Sequence, residues 1–256
     1  MKTICNLTSA AALTAALTAS ANAAAVALFD FGSHRGTATA QNFINSGMSL
    51  VATTDTVTLV DNTKLATVNT VTPTLLGSGI SLLINNATGA FTYGISVWSQ
   101  SNPAQNANVS LLGDAWLFNG LGASGTRTIT LSGLSTALAA STTYRIYLAG
   151  SYTDVEFSQF GSLTYDSVNY GSKSGPAVVG TGSSISNVGS VAVGFDIITG
   201  TTVADTLTFT VGHASGSGPG GAPGIQGIAI VPIPEPSSLL LGSASALLLC
   251  LRRRRA

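Results

Sequence analysis

Between residues 24 and 233 apolar and polar positions alternate in short runs, and no stretch sustains the 3.6-residue period of an amphipathic helix. Thr126 to Leu131 alternates strictly and is closed by Leu131-Ser132-Gly133-Leu134. Along Tyr144 to Leu148, Tyr144, Ile146 and Leu148 share one face, with Arg145 and Tyr147 on the other. Leu207, Phe209 and Val211 likewise oppose the threonines of Thr206 to Val211. Val26 to Phe31 reads as an opening strand that stops at Gly32, and Leu50 to Val60 as a second that turns at Asp61-Asn62. Ile80 to Ile84 and Ala90 to Trp98 form an expected hairpin about Thr88-Gly89. Ser162 to Tyr170, Val188 to Ile198 and Ile225 to Val231 supply further strands. Gln100 to Asn108 and Gly171 to Asn187 read as connections, and Gly212 to Gly224 as a flexible low-complexity loop. The pattern predicts an all-β body, a single β-sandwich or jelly roll.

The two ends depart from this pattern. Residues 1–23 have the layout of a signal peptide: Lys2, an Ala/Leu-rich run, and Ala21-Asn22-Ala23 as a small-x-small cleavage site, with a cut after Ala25 as the other register. Residues 234–256 hold Pro234-Glu235-Pro236-Ser237-Ser238, an apolar run from Leu239 to Leu251, and Arg252, Arg253, Arg254 and Arg255. The prolines make a stiff extended spacer. The apolar run is shorter than the roughly 20 residues of a stable span, and Gly242, Ser243 and Ser245 interrupt it. The arginines would hold the terminus in the cytoplasm. A tail of this kind follows the logic of a signal that is read in the membrane and then removed; an ordinary single-span anchor is the competing reading.

The order Pro-Glu-Pro, hydrophobic run, terminal arginines closely resembles the PEP-CTERM sorting signal of Gram-negative bacteria. The resemblance implies recognition of the short C-terminal transmembrane helix by an exosortase, a membrane transpeptidase that cuts near Pro234-Glu235-Pro236. It further implies secretion machinery as a partner, an inner-membrane precursor, and delivery to the cell surface or an extracellular matrix rich in exopolysaccharide. Within the body, Phe29-Asp30-Phe31-Gly32, Leu131-Ser132-Gly133-Leu134 with Thr143-Tyr144, and Gly224 to Ile230 resemble PEP-CTERM proteins with jelly-roll, carbohydrate-binding-module-like bodies. That implies a galactose-binding-like sandwich whose first and last strands are neighbours.

With both ends set aside, the body keeps five basic and nine acidic residues, a net charge of −4, so no nucleic-acid partner is expected. Cys5 and Cys250 lie in the end segments, and the body can form no disulfide. Chemistry-bearing residues are sparse. His34 and His213 fall in turns or loops, neither with a metal-ligand partner beyond a weak Asp30–His34 spacing. Asp154-Val155-Glu156 offers two carboxylates, and Glu156 is the body's one glutamate, so a glycosidase pair of Asp and Glu must include it. A solvated acidic surface is the competing reading of these residues and the favoured one. Gly216 to Gly221 lacks the lysine and helix of a phosphate loop. Asn86-Ala87-Thr88 and Asn108-Val109-Ser110 match glycosylation sequons.

The aromatics are the better ligand candidates. Trp98, with Tyr93 and Trp116, offers flat faces for sugar rings, against core packing as the alternative. Trp98 borders a polar loop and reads as surface, whereas Trp116 lies between Ala115 and Leu117 and reads as core. A structural calcium ion is compatible with such a sandwich, though no oxygen-ligand loop can be read and no cofactor is expected. The favoured expectation is a non-enzymatic exported protein. The alternatives are a dedicated carbohydrate-binding module using Trp98 and a glycan-cleaving enzyme using Glu156 or His213.

Overall fold

The computed structural model describes residues 24–31, 37–60, 74–85, 95–99, 114–118, 126–152, 156–174, 192–213 and 224–234. In chain order the elements are β1 (Ala27–Phe31), α1 (Ala40–Asn45), β2 (Thr58–Val60), β3 (Thr74–Gly77), β4 (Ile80–Asn85), β5 (Ile95–Ser99) and β6 (Asp114–Phe118). Next come β7 (Thr126–Ser132), the single turn α2 (Leu134–Ala137), β8 (Thr143–Ala149), β9 (Ser151–Tyr152), β10 (Glu156–Tyr165), β11 (Val168–Asn169) and β12 (Lys173–Ser174). The last four are β13 (Ala192–Ile198), β14 (Leu207–His213), β15 (Gly224–Ile225) and β16 (Gly227–Pro232). One compact unit spans Ala24–Pro232. Among the described residues no helix is long and apolar enough to cross a membrane.

Two large sheets make the sandwich. The first runs β13-β8-β16-β1-β2; the second runs β11-β10-β14-β7-β4-β3, with β9 and β12 also paired to β10. A small third sheet, β15-β6-β5, continues from the start of β16. The alternating strands turn their apolar residues to one shared core. Phe29, Ile146, Leu148, Phe195, Ile228 and Ile230 come from the first sheet; Leu82, Ile84, Ile129, Leu131, Phe160 and Phe209 come from the second. Each such fully buried Leu, Ile or Phe contributes about 1.5–3 kcal/mol. β7 reads exposed–buried along its length with Ile129 and Leu131 inward, as its sequence alternation predicts.

The first and last strands are neighbours: β1 and β16 pair antiparallel from Ala27↔Ile230 to Asp30↔Gly227. The pair is extended by Val26 N–H donating to Ile230 O at 2.8 Å and Phe31 N–H to Gln226 O at 2.9 Å. Around β1 and β16 the outer face of the same sheet is buried as well. Leu28, Tyr147, Ala149, Ala229 and Val231 pack under Phe43, Met48 and Val51 from α1 and the segment after it.

Several expected elements take a different form. Helix α1 is absent from the sequence reading because six residues, under two turns, carry no measurable period. Its start is fixed by Asn42 Oδ1, which accepts from the Thr39 N–H and hydroxyl, each at 2.8 Å, a capping arrangement with Asn where Glu or Gln is usual. The strand expected over Leu50 to Val60 shrinks to Thr58–Val60. Asp55 diverts the rest, its carboxylate accepting from Ala52 N–H at 2.7 Å and Ala25 N–H at 3.1 Å.

The expected hairpin of Ile80 to Ile84 with Ala90 to Trp98 does not form, because β4 is flanked by β3 and β7 while β5 pairs with β6. The hairpin is instead β3–β4 about Ser78-Gly79, both with positive φ (51° and 74°), as a two-residue type I′ turn requires. Asp166-Ser167, at 48° and 64°, splits the strand expected over Ser162 to Tyr170 in the same way. The connection 100–108 and residues 175–187 of the connection expected over Gly171 to Asn187 lie outside the described residues, and that second connection opens with the short strand β12.

After β7 the chain reverses at Gly133, φ 85°, where a Cβ would stand 2.2 Å from Gly79 O of the β3–β4 turn. Asp205 locks this corner by accepting from Ser135 Oγ at 2.5 Å, Gly133 N–H at 3.2 Å and Ser135 N–H at 3.3 Å. On the far side of α2, Tyr144 Oη accepts from Ala139 N–H at 2.8 Å, and Thr199 Oγ1 accepts from Thr142 N–H at 2.8 Å and donates to Ala139 O at 2.7 Å.

Gly133→Ala is therefore expected to remove at least about 2 kcal/mol in urea unfolding, because the positive φ and the contact with a backbone carbonyl add. Gly171→Ala, with φ 81° but nothing within 4 Å of a Cβ, should cost only about 1 kcal/mol. Equal losses would show that the Gly79 contact is unimportant.

Candidate functional site

Backbone register locates the sequence-predicted residues. Trp98 stands in β5 opposite Ala115, and Trp116 stands in β6 opposite Val97 and Ile225. Residues directly opposite share a face, and successive residues alternate. The Trp116 position thus shares the face of Ile225, which is fully buried, and the Trp98 position lies on the other face of the small sheet. Tyr93, His34 and Asp154 lie outside the described residues, as do Glu235, Pro236 and Arg252 to Arg255; Pro234 is the last residue described. Asp30 is buried in β1, where its Oδ2 accepts from Ala38 N–H at 2.7 Å, anchoring the entry to α1.

His213 is not in a loop. It is the last residue of β14, paired with Ser158, because β10 extends far enough to supply ladder partners across Gly212. This correction brings two candidates together. Glu156 is two residues before Ser158 on the adjacent strand, so Glu156 and His213 are diagonal neighbours on one face, about 7–8 Å apart in a regular ladder. The shared parity is that of Phe160 and Val211, the inner row of the sandwich.

Arg127 joins the same row from β7, opposite Val211, and is buried at 5% exposure. Burial pulls its guanidinium below the ordinary value. The sequence reading passed over Arg127, although the strict alternation of Thr126 to Leu131 already gave it the face of Ile129 and Leu131. Across β10 from β14, Glu156 pairs with Tyr152 of β9, and β9 also lies against β6 and β15. By backbone register the His213 position is thus diagonal to Glu156 on one neighbouring strand and to Arg127 on the other, while Glu156 and Arg127 are two strands apart. Among the described residues no three His, Cys, Asp or Glu side chains form a metal-binding group.

A second polar array, on the outer face of the first sheet, is structural. Arg145 meets Asp196 fork to fork, Nε–Oδ1 at 2.5 Å and Nη2–Oδ2 at 2.7 Å, with its guanidinium 5.9 Å from the Tyr147 ring centroid. The bond from Arg145 holds the Asp196 carboxyl below its ordinary range. Gly194 makes room, since a Cβ there would stand 2.9 Å from Arg145 Cδ. Tyr147 is only 4% exposed, so its ring is not offered to a ligand. Lys173 closes the adjoining gap between sheets by donating to Gly194 O, 4.9 Å from the Phe195 ring centroid.

No protein-family model matches the chain, and no curated protein matches it. Carbohydrate-binding modules are among the solved structures it resembles. A family 35 carbohydrate binding module from Clostridium thermocellum is 16% identical over 54% of this chain and 98% of its own, with a TM-score of 0.27. The CBM36-1 domain of a multidomain xylanase from the hindgut metagenome of Trinervitermes trinervoides is 13% identical over 47% and 87%, at 0.25. The ANXUR2 extracellular domain from Arabidopsis thaliana is 11% identical over 55% and 40%, at 0.35, so this chain spans well under two thirds of it. These are partial likenesses among β-rich structures, and they assign no ligand.

Asp196 and Asp205 carry a shared pH prediction. Both carboxyls are held below the ordinary carboxylate range, Asp196 first by Arg145 and Asp205 first by the Ser135 hydroxyl. A depressed folded value contributes stability that is fully present above the unfolded value and is lost as pH falls through the folded one. Thermal stability should accordingly fall below about pH 4, and the doubly substituted Asp196→Asn/Asp205→Asn protein should show a shallower acid limb. An unchanged slope would remove both carboxylates from the acid response.

Proposed function

We propose that the chain is an exported, non-enzymatic surface or extracellular-matrix protein, processed from an inner-membrane precursor by an exosortase at Pro234-Glu235-Pro236, and that it contacts polysaccharide through Trp98. The observation that carries this reading is the pairing of β1 with β16 inside a compact unit that runs from Ala24 to Pro232. Every described strand lies between the two end segments, so removal of either end takes no strand from either sheet. The chain leaves β16 at Pro232, immediately before the Pro-Glu-Pro spacer.

The same strand sets the geometry of display. β15 directly precedes β16, and the six residues of β16 span about 20 Å. The small sheet bearing Trp98 therefore stands at the opposite end of β16 from the exit of the chain. A flat indole suits the apolar face of a sugar ring, which is the support for assigning the contact to Trp98.

A second reading, a glycan-cleaving enzyme, is favoured by the diagonal placement of Glu156 and His213 on the inner row. It requires hydrolysis that disappears in Glu156→Gln with the fold retained.

The deciding experiment compares intact masses of the protein from membrane, surface and medium, followed by glycan-array binding. Wild type should lose the residues after the Pro-Glu-Pro region, and substitution of Glu235 or of all four terminal arginines should leave unprocessed precursor in the membrane. A mature C-terminus at Ala256 would leave a simple anchor and overturn exosortase sorting. Glycan binding should fall at least tenfold in Trp98→Ala while circular dichroism is unchanged; undiminished binding would move the contact elsewhere.

A further inference from the structure

The body's carboxylates have different employments: Asp30 and Asp205 fix turns, and Asp196 is paired with Arg145. Asp55 stands apart. It is half-buried, it belongs to no ion pair among the described residues, and one of its two oxygens is turned toward the beginning of the folded unit. Its Oδ2 accepts from Ala52 N–H at 2.7 Å, and its own N–H donates to Ala52 O at 3.0 Å, so the carboxylate is fixed by a local turn. Its Oδ1 accepts from Ala25 N–H at 3.1 Å, across thirty residues of sequence. The next residue, Val26, is already held by β16 through Ile230 O at 2.8 Å. The segment preceding β1 is thus pinned at two successive amides, one of them to a charged acceptor.

We propose that Asp55 is a binding site for the α-ammonium group that appears when the signal segment is cut after Ala23, an inference that rests on the export reading above. Before the cut, Ala24 contributes a neutral amide. Hydrolysis of the Ala23–Ala24 peptide bond by water leaves a carboxylate on the departing segment and an α-amine on Ala24, protonated at neutral pH. Ala24 is exposed and lies one residue upstream of the amide already aimed at Oδ1, about 3.8 Å along the Cα trace. The new positive charge therefore appears beside a fixed carboxylate, and a charge-assisted hydrogen bond is stronger than the neutral one it joins. The mature form acquires an ion pair that the precursor lacks, and it fastens the turn at Asp55, the start of β1 and, through β1, the central pair of the first sheet. A cut after Ala25 would place the amine on Val26 and delete the Ala25 N–H, so the proposed site requires the Ala23 register.

The test uses the exported protein as recovered from cells. N-terminal sequencing comes first: a first residue other than Ala24 overturns the cleavage reading beneath the inference. With Ala24 established, selective acetylation of the α-amine, which removes its charge, should lower Tm by about 2–4 °C in wild type and leave Asp55→Asn unchanged. Equal Tm before and after acetylation of the wild-type protein overturns the site while leaving export intact. Should Asp55→Asn fail to fold, the wild-type comparison still decides, together with the titration of the Ala24 amine by NMR. That amine should titrate above the ordinary range of about 7.7–8.0; an ordinary value overturns the proposal.

Discussion

The antiparallel pairing of the first strand with the last is the interaction on which the remainder of the sandwich depends. β1 and β16 lie inside the five-stranded sheet, with β8 bonded to the other edge of β16 and β2 to the other edge of β1. If that pair opened, the sheet would divide into β13-β8-β16 and β1-β2. The inner residues Phe29 and Phe31 would then lose their places opposite the second sheet. Contacts between strands about 200 residues apart close late and at an entropic cost that grows slowly with loop length. Everything that stiffens the approach to β1, including the amides of Ala25 and Val26, therefore acts on the least local contact in the molecule.

The central strands β1 and β16 of the five-stranded sheet are buried on both faces, which explains how their sequence reads. β1 and β16 are almost continuously apolar, and they show little of the alternation seen in β7. Their second face is covered by α1 and the residues up to Val51. Strands with one partly solvated face, such as β7 and β14, were legible from alternation alone. Helix α1 was not, since its contribution is a few apolar side chains dropped onto a sheet rather than a periodic stripe. The hairpins failed for a related reason. Thr88-Gly89 and Ser78-Gly79 are comparable turn signals, and which one joins paired strands is decided by the neighbours β4 finds in β3 and β7. Pairing partners of that kind are tertiary information.

The candidate site divides along the same line. Local pattern separated Trp98 from Trp116, and the backbone register assigns the two positions to opposite faces of the small sheet. The association of Glu156 with His213 could not be read locally, because it depends on how far β10 and β14 run together past Gly212. Arg127 was legible in principle, as a charged residue on the inward parity of an alternating strand, yet the row it belongs to exists only once β7, β14 and β10 are side by side. In a body with only five basic residues, a buried arginine on the inner row is a costly placement unless compensated.

Low charge also gives the few remaining carboxylates their weight. With nine acidic residues in the body, those with described partners serve turns, a helix entry or an edge strand, and the employment of each follows from the donors around it. Asp205 gathers two backbone amides and a hydroxyl, which completes a corner; Asp196 gathers a guanidinium, which ties β13 to β8. Asp55 gathers two amides from different parts of the chain, and one of them belongs to the segment that export would turn into a terminus. In the precursor that oxygen meets a neutral amide alone, and in the mature form it gains an ammonium beside it. The difference between the two states is one charge, placed at the strand on which closure of the sandwich depends.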